Sequence, residues 1–178
     1  MTESPDEVVE RARKVKMLIL DCDGVLTDGL ITLLPDGAEM KTFDVKDGHA
    51  MVMLARAGIR VAIISGRESP AVRKRAEELG VAHLYEKAWV KQQPYEKILA
   101  EEELTDIEIC YVGDDVVDIP LLRRAGLAVA VADAVAEVKV FSHLVTERAG
   151  GRGAVREVIE LILKAQGKWE EALSRYTK

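Results

Sequence analysis

The stretch Lys16-Met-Leu-Ile-Leu-Asp21-Cys-Asp23-Gly24-Val-Leu-Thr27-Asp28-Gly29 decides how the chain is read. The short apolar run to Leu20 ends abruptly at an acid, which reads as a buried strand. Side chains two apart on an extended segment point the same way. Asp21 and Asp23 therefore converge on one pocket at the strand end. Two close carboxylates repel, so a cation or a proton must sit between them, and a hard ion such as Mg²⁺ suits oxygen ligands. An ionised Asp can attack phosphorus, and a second Asp can protonate a leaving alkoxide and then activate water. Gly24 lets the chain turn sharply away. A bare Asp-x-Asp is more often an acidic surface turn. The strand before it and the Gly-Val-Leu-Thr-Asp after it favour chemistry.

Working outward, apolar runs alternate with helical stretches. A helix is expected over Ser4 to Val15, where Ser4 can cap and Pro5 suits the first turn. Pro35-Asp36-Gly37 marks a hairpin between Leu30–Leu34 and Glu39–Phe43. A helix opens at Asp47-Gly48 and ends at Gly58. Further strands are expected at 60–64, 81–85, 107–112 and 127–131. Helices are expected at 69–79, 93–103, 116–125, 132–138 and 154–166, with a charged tail that can be helical. This alternation implies an α/β fold, a Rossmann-like doubly wound parallel sheet covered on both faces. The hairpin insertion, about 29–43, is too small to be a cap domain. The whole chain, 1–178, is read as one domain with a tail at about 167–178. Active sites in such sheets lie at the carboxyl ends of the strands, where Asp21, Ser65 and Asp114 fall.

The chain carries 25 basic and 31 acidic residues, a net charge of −6. That argues against nucleic acid and anionic membrane surfaces as partners. A local metal site can still receive an anion. Two cysteines, Cys22 and Cys110, do not suggest a disulfide framework, so a cytoplasmic location is expected. No apolar run is long enough to span a bilayer, and Met1 to Lys16 lacks the apolar core of a signal peptide.

Three further pieces carry chemistry. Ile64-Ser65-Gly66-Arg67 offers a hydroxyl and amides for phosphate oxygens, although Ser-Gly alone is usually a plain turn. Lys91 precedes a helix, and a lone Lys is usually solvated. Tyr111-Val-Gly113-Asp114-Asp115-Val-Val-Asp118 delivers acids from a strand into a helix start, which fits either a metal site or helix caps.

In this order the pieces resemble the haloacid dehalogenase superfamily of phosphotransferases. From about Lys16 to Gly167 the chain resembles its small capless family, 3-deoxy-D-manno-octulosonate 8-phosphate (KDO 8-phosphate) phosphatase. The segments that carry the likeness include Asp23-Gly-Val-Leu-Thr-Asp-Gly29, Val45-Lys-Asp-Gly48, Ala62-Ile-Ile-Ser-Gly-Arg67, Tyr111-Val-Gly-Asp-Asp115 and Ala149-Gly-Gly-Arg-Gly-Ala-Val-Arg-Glu157. The resemblance implies that Asp21 is the nucleophile and Asp23 the acid/base, its carbonyl also a Mg²⁺ ligand. It implies Asp114 as the third protein ligand, with Asp115 and Asp118 as supporting acids. Ser65, Gly66 and Lys91 would hold the phosphate, and Arg67 and Arg152 would approach substrate. It also implies a homotetramer assembled through the hairpin, a sugar-phosphate substrate and a role in lipopolysaccharide biosynthesis. His49-Ala50 and Ala88-Trp89-Val90 depart from the family pattern, and both stretches can lie near the sugar.

Other readings are a phosphatase for a nine-carbon keto-sugar acid 9-phosphate and a non-catalytic oligomerisation domain. A phosphoaccepting receiver is a further class. The presence of Asp21, Asp23, Lys91 and Asp114 argues against the second, and an Asp-x-Asp on the first core strand argues against the third.

Overall fold

The computed structural model describes residues 4–177; residues 1–3 and 178, at the ends of the expected domain and tail, lie outside the described residues. In chain order the elements are α1 (Pro5–Lys14), β1 (Met17–Leu20), the hairpin strands β2 (Thr32–Leu33) and β3 (Glu39–Met40), α2 (Val45–Arg56), β4 (Arg60–Ile64), α3 (Pro70–Leu79), β5 (His83–Tyr85) and α4 (Gln92–Glu102). They continue with β6 (Ile109–Gly113), α5 (Ile119–Leu122), β7 (Leu127–Ala130), α6 (Ala136–Val140), β8 (Leu144–Val145), α7 (Ala154–Ala165) and α8 (Trp169–Ser174).

Six strands pair in the order β5-β4-β1-β6-β7-β8, every pair parallel. The chain leaves β1 towards β4 and β5, then returns to add β6 on the other side. That reversal opens a crevice at the carboxyl ends of β1 and β6. Every residue of β1, β6 and β7 is buried, which requires cover on both faces. Helix α7 packs on α1 and α2, and α4 packs on α5. Along α7, Val155, Val158, Ile159 and Ile162 recur at helical spacing and are fully buried. Each such side chain contributes roughly 1.5–3 kcal/mol on burial. This apolar stripe holds the α7 N-terminus, and the glycine loop before it, against the sheet.

The fold agrees with the expected α/β architecture. Local boundaries differ for physical reasons. Helix α2 starts at Val45 because Asp44 caps it, accepting a 2.6 Å hydrogen bond from the Lys46 amide. Asp47 is then buried in the first turn rather than opening the helix. The helix expected over 116–125 is a 3₁₀ turn, Val116–Asp118, followed by the short α5. Asp118 and Asp115 cap that turn reciprocally, and Pro120 lies in the first turn of α5. The helix expected over 132–138 starts at Ala136, because extended Val135 donates its amide to the Asp114 carbonyl. The two-residue strand β8 was not expected. The hairpin pairs only Thr32 with Met40 and Leu33 with Glu39.

Candidate active site

Asp21 continues the line of β1, its amide donating to the Val112 carbonyl of β6 at 3.0 Å. The next residues turn away at Gly24, whose φ of +91° suits only glycine. A Cβ there would also overlap the Asp114 carboxylate. Glycine thus allows the nucleophile loop and the end of β6 to meet.

The structure assembles a buried charge network around Lys91. Its ammonium donates to Asp21 Oδ1 and to Asp118 Oδ1, both at 2.6 Å. Lys91 is 2% exposed and Asp118 is fully buried. Asp118 Oδ1 also accepts from the Tyr111 hydroxyl at 2.6 Å. Its Oδ2 accepts from the amides of Asp114 and Asp115 at 3.0 and 3.3 Å. Both Asp118 oxygens are therefore committed, and Asp118 acts as the anchor of Lys91.

Carboxylate oxygens of Asp21, Asp114 and Asp118 lie within 4.8 Å of one another. Burial pushes the Asp21 carboxyl up to about 6; Lys91 opposes this and Asp118 adds to it. Burial, then the charges of Asp21 and Asp118, push Asp114 up to about 8. Asp114 Oδ1 is buried without a hydrogen-bond partner. An unpartnered buried carboxylate oxygen beside a second carboxylate is the environment a hard cation relieves. With Asp118 saturated, the donors left for a cation are the carboxylates of Asp21 and Asp114. These residues fit Mg²⁺.

The Asp23 carboxylate stands apart from that cluster. Lys41 of the hairpin arm holds its Oδ1, and Arg67 Nε lies 3.6 Å from its Oδ2. Ser65 is buried at the end of β4, its hydroxyl accepting from the Arg67 amide at 3.2 Å. Gly66 leaves open space where a side chain would stand. Asp23, Ser65, Gly66 and Arg67 line one cleft of about 370 Å³ with Asp21, Lys91, Asp114, Asp115, Ile31, Trp89 and Val117. A cleft of that size admits a sugar phosphate.

Three residues named from the sequence sit at the cleft rim or away from it. Asp115 is exposed, its carboxylate accepting from the Val116 amide at 2.7 Å, so it caps the turn at the cleft rim. Arg152 pairs with Asp28 at 3.3 Å and is not among the cleft-lining residues. His49 packs against Tyr176, its Nε2 2.9 Å from the tyrosine hydroxyl, and does not line the cleft.

Sequence reasoning missed three groups. Tyr111 reads as one more core strand residue, although it orients Asp118. Glu39 and Lys41 stand two apart on the hairpin's return arm, and that spacing was the available signal. Asp47 is the third. It accepts from the Arg156 amide at 2.7 Å and the Gly153 amide at 3.2 Å, capping α7 from α2. The loop ahead of α7 lies directly on the nucleophile loop. The Gly151 amide donates to the Val25 carbonyl at 2.8 Å. A Cβ on Gly150 would overlap the Gly24 carbonyl oxygen. The two segments 45–48 and 149–157 thus form one buttress behind Asp21.

Comparison with known proteins adds identity to this geometry. A family model described as haloacid dehalogenase-like hydrolase matches residues 41–126. That span contains Ser65, Lys91, Asp114 and Asp118, and it begins after the Asp-x-Asp loop. The KDO 8-phosphate phosphatase KdsC of Yersinia pestis is 44% identical over 94% of this chain and 89% of the relative. The enzyme of the same name from Escherichia coli K12 is 43% identical over 93% of this chain and 88% of its own. A crystal structure of the Moraxella catarrhalis KDO 8-phosphate phosphatase, in complex with magnesium, phosphate and KDO, superposes with a TM-score of 0.95. It is 35% identical and covers 97% of this chain and 99% of its own. On these grounds the chain belongs to the 3-deoxy-D-manno-octulosonate 8-phosphate phosphatase family.

Proposed function

We propose that this protein is a Mg²⁺-dependent phosphatase that hydrolyses 3-deoxy-D-manno-octulosonate 8-phosphate through an aspartyl-phosphate on Asp21. One observation carries the reading: Asp21 is held by Lys91 at 2.6 Å beside the unpartnered Asp114 oxygen, at the floor of an open cleft. A non-catalytic domain has no need to keep such a network buried and charged.

The roles follow from position. Asp21, Asp114 and the Asp23 carbonyl would hold Mg²⁺, which would supply positive charge to the phosphoryl oxygens. Ser65 and the Gly66 amide bind the phosphate from the β4 side. Lys91, anchored by Asp118, fixes one Asp21 oxygen and leaves the other to attack. Asp21 forms a bond to phosphorus as the bond to the sugar oxygen breaks, and Asp23 transfers its proton to that oxygen. Asp23, now a carboxylate, takes a proton from water as the water attacks phosphorus. The P–O bond to Asp21 breaks, releasing inorganic phosphate and restoring both acids. Asp115 caps the loop that carries Asp114.

The relatives' substrate, the cleft's Arg67 and its rim support a keto-sugar acid phosphate, and with it a place in lipopolysaccharide assembly. Arg152 contacts Asp28 rather than the cleft, so its part in binding falls to a neighbouring subunit's cleft or to loop anchoring. Leu30, Ile31 and Leu33 are each more than half exposed. A two-stranded hairpin is marginal alone and needs a partner, which supports a homotetramer built on it. Chain 1–178 acts as one domain, with the hairpin and tail as appendages. Among the described residues no helix is long and apolar enough to cross a membrane. The two buried free thiols suit a reducing cytoplasm.

The mechanism is tested by Asp21→Asn. The variant folds and binds Mg²⁺ more weakly, and it releases no phosphate, since an amide does not attack phosphorus. Turnover near that of the wild type would refute the covalent route.

A further inference from the structure

The hairpin is not only an exposed apolar arm. Glu39 and Lys41, two apart on its return arm, reach back to Arg67 and Asp23. Lys41 pairs with Asp23 on one side and lies 3.0 Å from Glu39 on the other. Glu39 in turn pairs with Arg67, whose Nε lies 3.6 Å from Asp23. The four residues close a ring of alternating acidic and basic side chains: Asp23, Lys41, Glu39, Arg67 and back to Asp23. The Lys41 side chain is 2% exposed, which is rare for a lysine and demands fixed partners. Burial alone would lower its pKa, yet hydrogen bonds to Asp23 and Glu39 prevail and hold it above the ordinary value. Hydrogen bonds from Lys41, against burial, hold Glu39 below the usual carboxylate range. Lys41 and Glu39 are thus charged groups held in fixed places, not parts of a loose surface cluster.

We infer that Lys41, braced by Glu39, is a positioning residue for the acid/base Asp23, so that the hairpin sets the geometry of proton transfer. This rests on the reading of Asp23 as general acid. An Asp carboxyl on a turning loop has two free torsions, and nothing on its own loop holds it. Lys41 grips one oxygen from the hairpin, and Arg67 approaches the other from the β4 loop. The carboxyl is then held chiefly by Lys41, from outside the loop. The same cations face the charge that appears when Asp23 gives its proton to the leaving oxygen as the P–O bond breaks. A group that acts through orientation matters most where the transferred proton matters most. Effects of Lys41 should therefore scale with how badly the leaving group needs a proton.

The experiment uses the full-length protein with Mg²⁺ and a series of aryl phosphates whose phenols range from strong to weak acids. Rapid-quench measurement of the first burst of phenol isolates formation of the aspartyl-phosphate from its hydrolysis. The variants are Lys41→Met, Lys41→Arg, Glu39→Gln and Asp23→Asn, each checked for thermal unfolding and Mg²⁺ binding. Lys41→Met should lower the burst rate by about tenfold or more for the weakest acids and less than about threefold for 4-nitrophenyl phosphate, within the range for general-acid catalysis. Lys41→Arg should recover part of the loss, and Glu39→Gln should show a weaker version of the same slope. Asp23→Asn separates the two ideas. If its loss does not depend on the leaving group, the general-acid reading fails. If its loss does so and that of Lys41→Met is uniform or absent, the positioning role of Lys41 is overturned.

Discussion

Asp47 lies away from the reacting atoms, yet its removal should disturb both stability and turnover. Its carboxylate is 1% exposed and accepts from the Arg156 amide at 2.7 Å and the Gly153 amide at 3.2 Å. Asp47→Ala leaves both amides buried without an acceptor, each worth about 1–3 kcal/mol, and removes a charge from the positive end of α7. Against this, Ala relieves the burial penalty on the charge. A net loss of about 2–4 kcal/mol is expected, or a Tm lower by roughly 5–15 °C for a chain of this size. Asp47→Asn keeps one acceptor oxygen and should lose less. Burial raises the Asp47 pKa, with the two amide hydrogen bonds opposing. The folded state then holds this proton more tightly than the unfolded state. Its contribution is fully present below the ordinary carboxylate range and is lost as pH rises through the raised value. The gap between wild type and Asp47→Asn should accordingly narrow with rising pH in that window. Urea unfolding across pH, with kcat/KM measured on the same samples, reads all of this. A loss below about 0.5 kcal/mol for Asp47→Ala, the scale of an ordinary surface change, would refute the buttress.

Gly150→Ala places a methyl on the Gly24 carbonyl, a backbone atom that cannot step aside. It should cut kcat at least tenfold and destabilise by about 1–3 kcal/mol, measured by steady-state kinetics and denaturation. Lys91→Met strips the counter-charge from Asp21 and buried Asp118. Activity should vanish, and stability should fall by about 3–5 kcal/mol in metal-free protein by calorimetry. Protons held by Asp21 near 6 and Asp114 near 8 compete with a cation for the same oxygens. The rise in Tm on adding Mg²⁺ should therefore grow from pH 5 to pH 8.5, and a pH-independent rise would contradict the donor set. Paired Leu30→Ser and Leu33→Ser changes should convert a tetramer into smaller species by light scattering.

The sheet was legible because β1, β4, β6 and β7 are continuous apolar runs, and burial on both faces leaves that signature without long-range information. Asp21, Ser65 and Asp114 were legible for the same reason: each ends or follows such a run. Lys91 was legible only through the family resemblance, since nothing local separates a buried lysine from a solvated one. Its burial depends on Asp118, 27 residues away in sequence. Asp47 was read as a helix opener because acids commonly begin helices, and its true partners lie more than a hundred residues on. Arg152 shows the opposite case: its motif suggested contact with the site, whereas it pairs with Asp28. Asp115 lines the cleft and also caps its own turn.

The central claim is tested most directly by phosphate release from 3-deoxy-D-manno-octulosonate 8-phosphate with Mg²⁺. The nine-carbon keto acid 9-phosphate, glucose 6-phosphate and 4-nitrophenyl phosphate serve as competitors. The account predicts the highest kcat/KM on the octulosonate, abolished by EDTA and by Asp21→Asn. A clear preference for one of the other phosphates, or activity that survives either treatment, would contradict it.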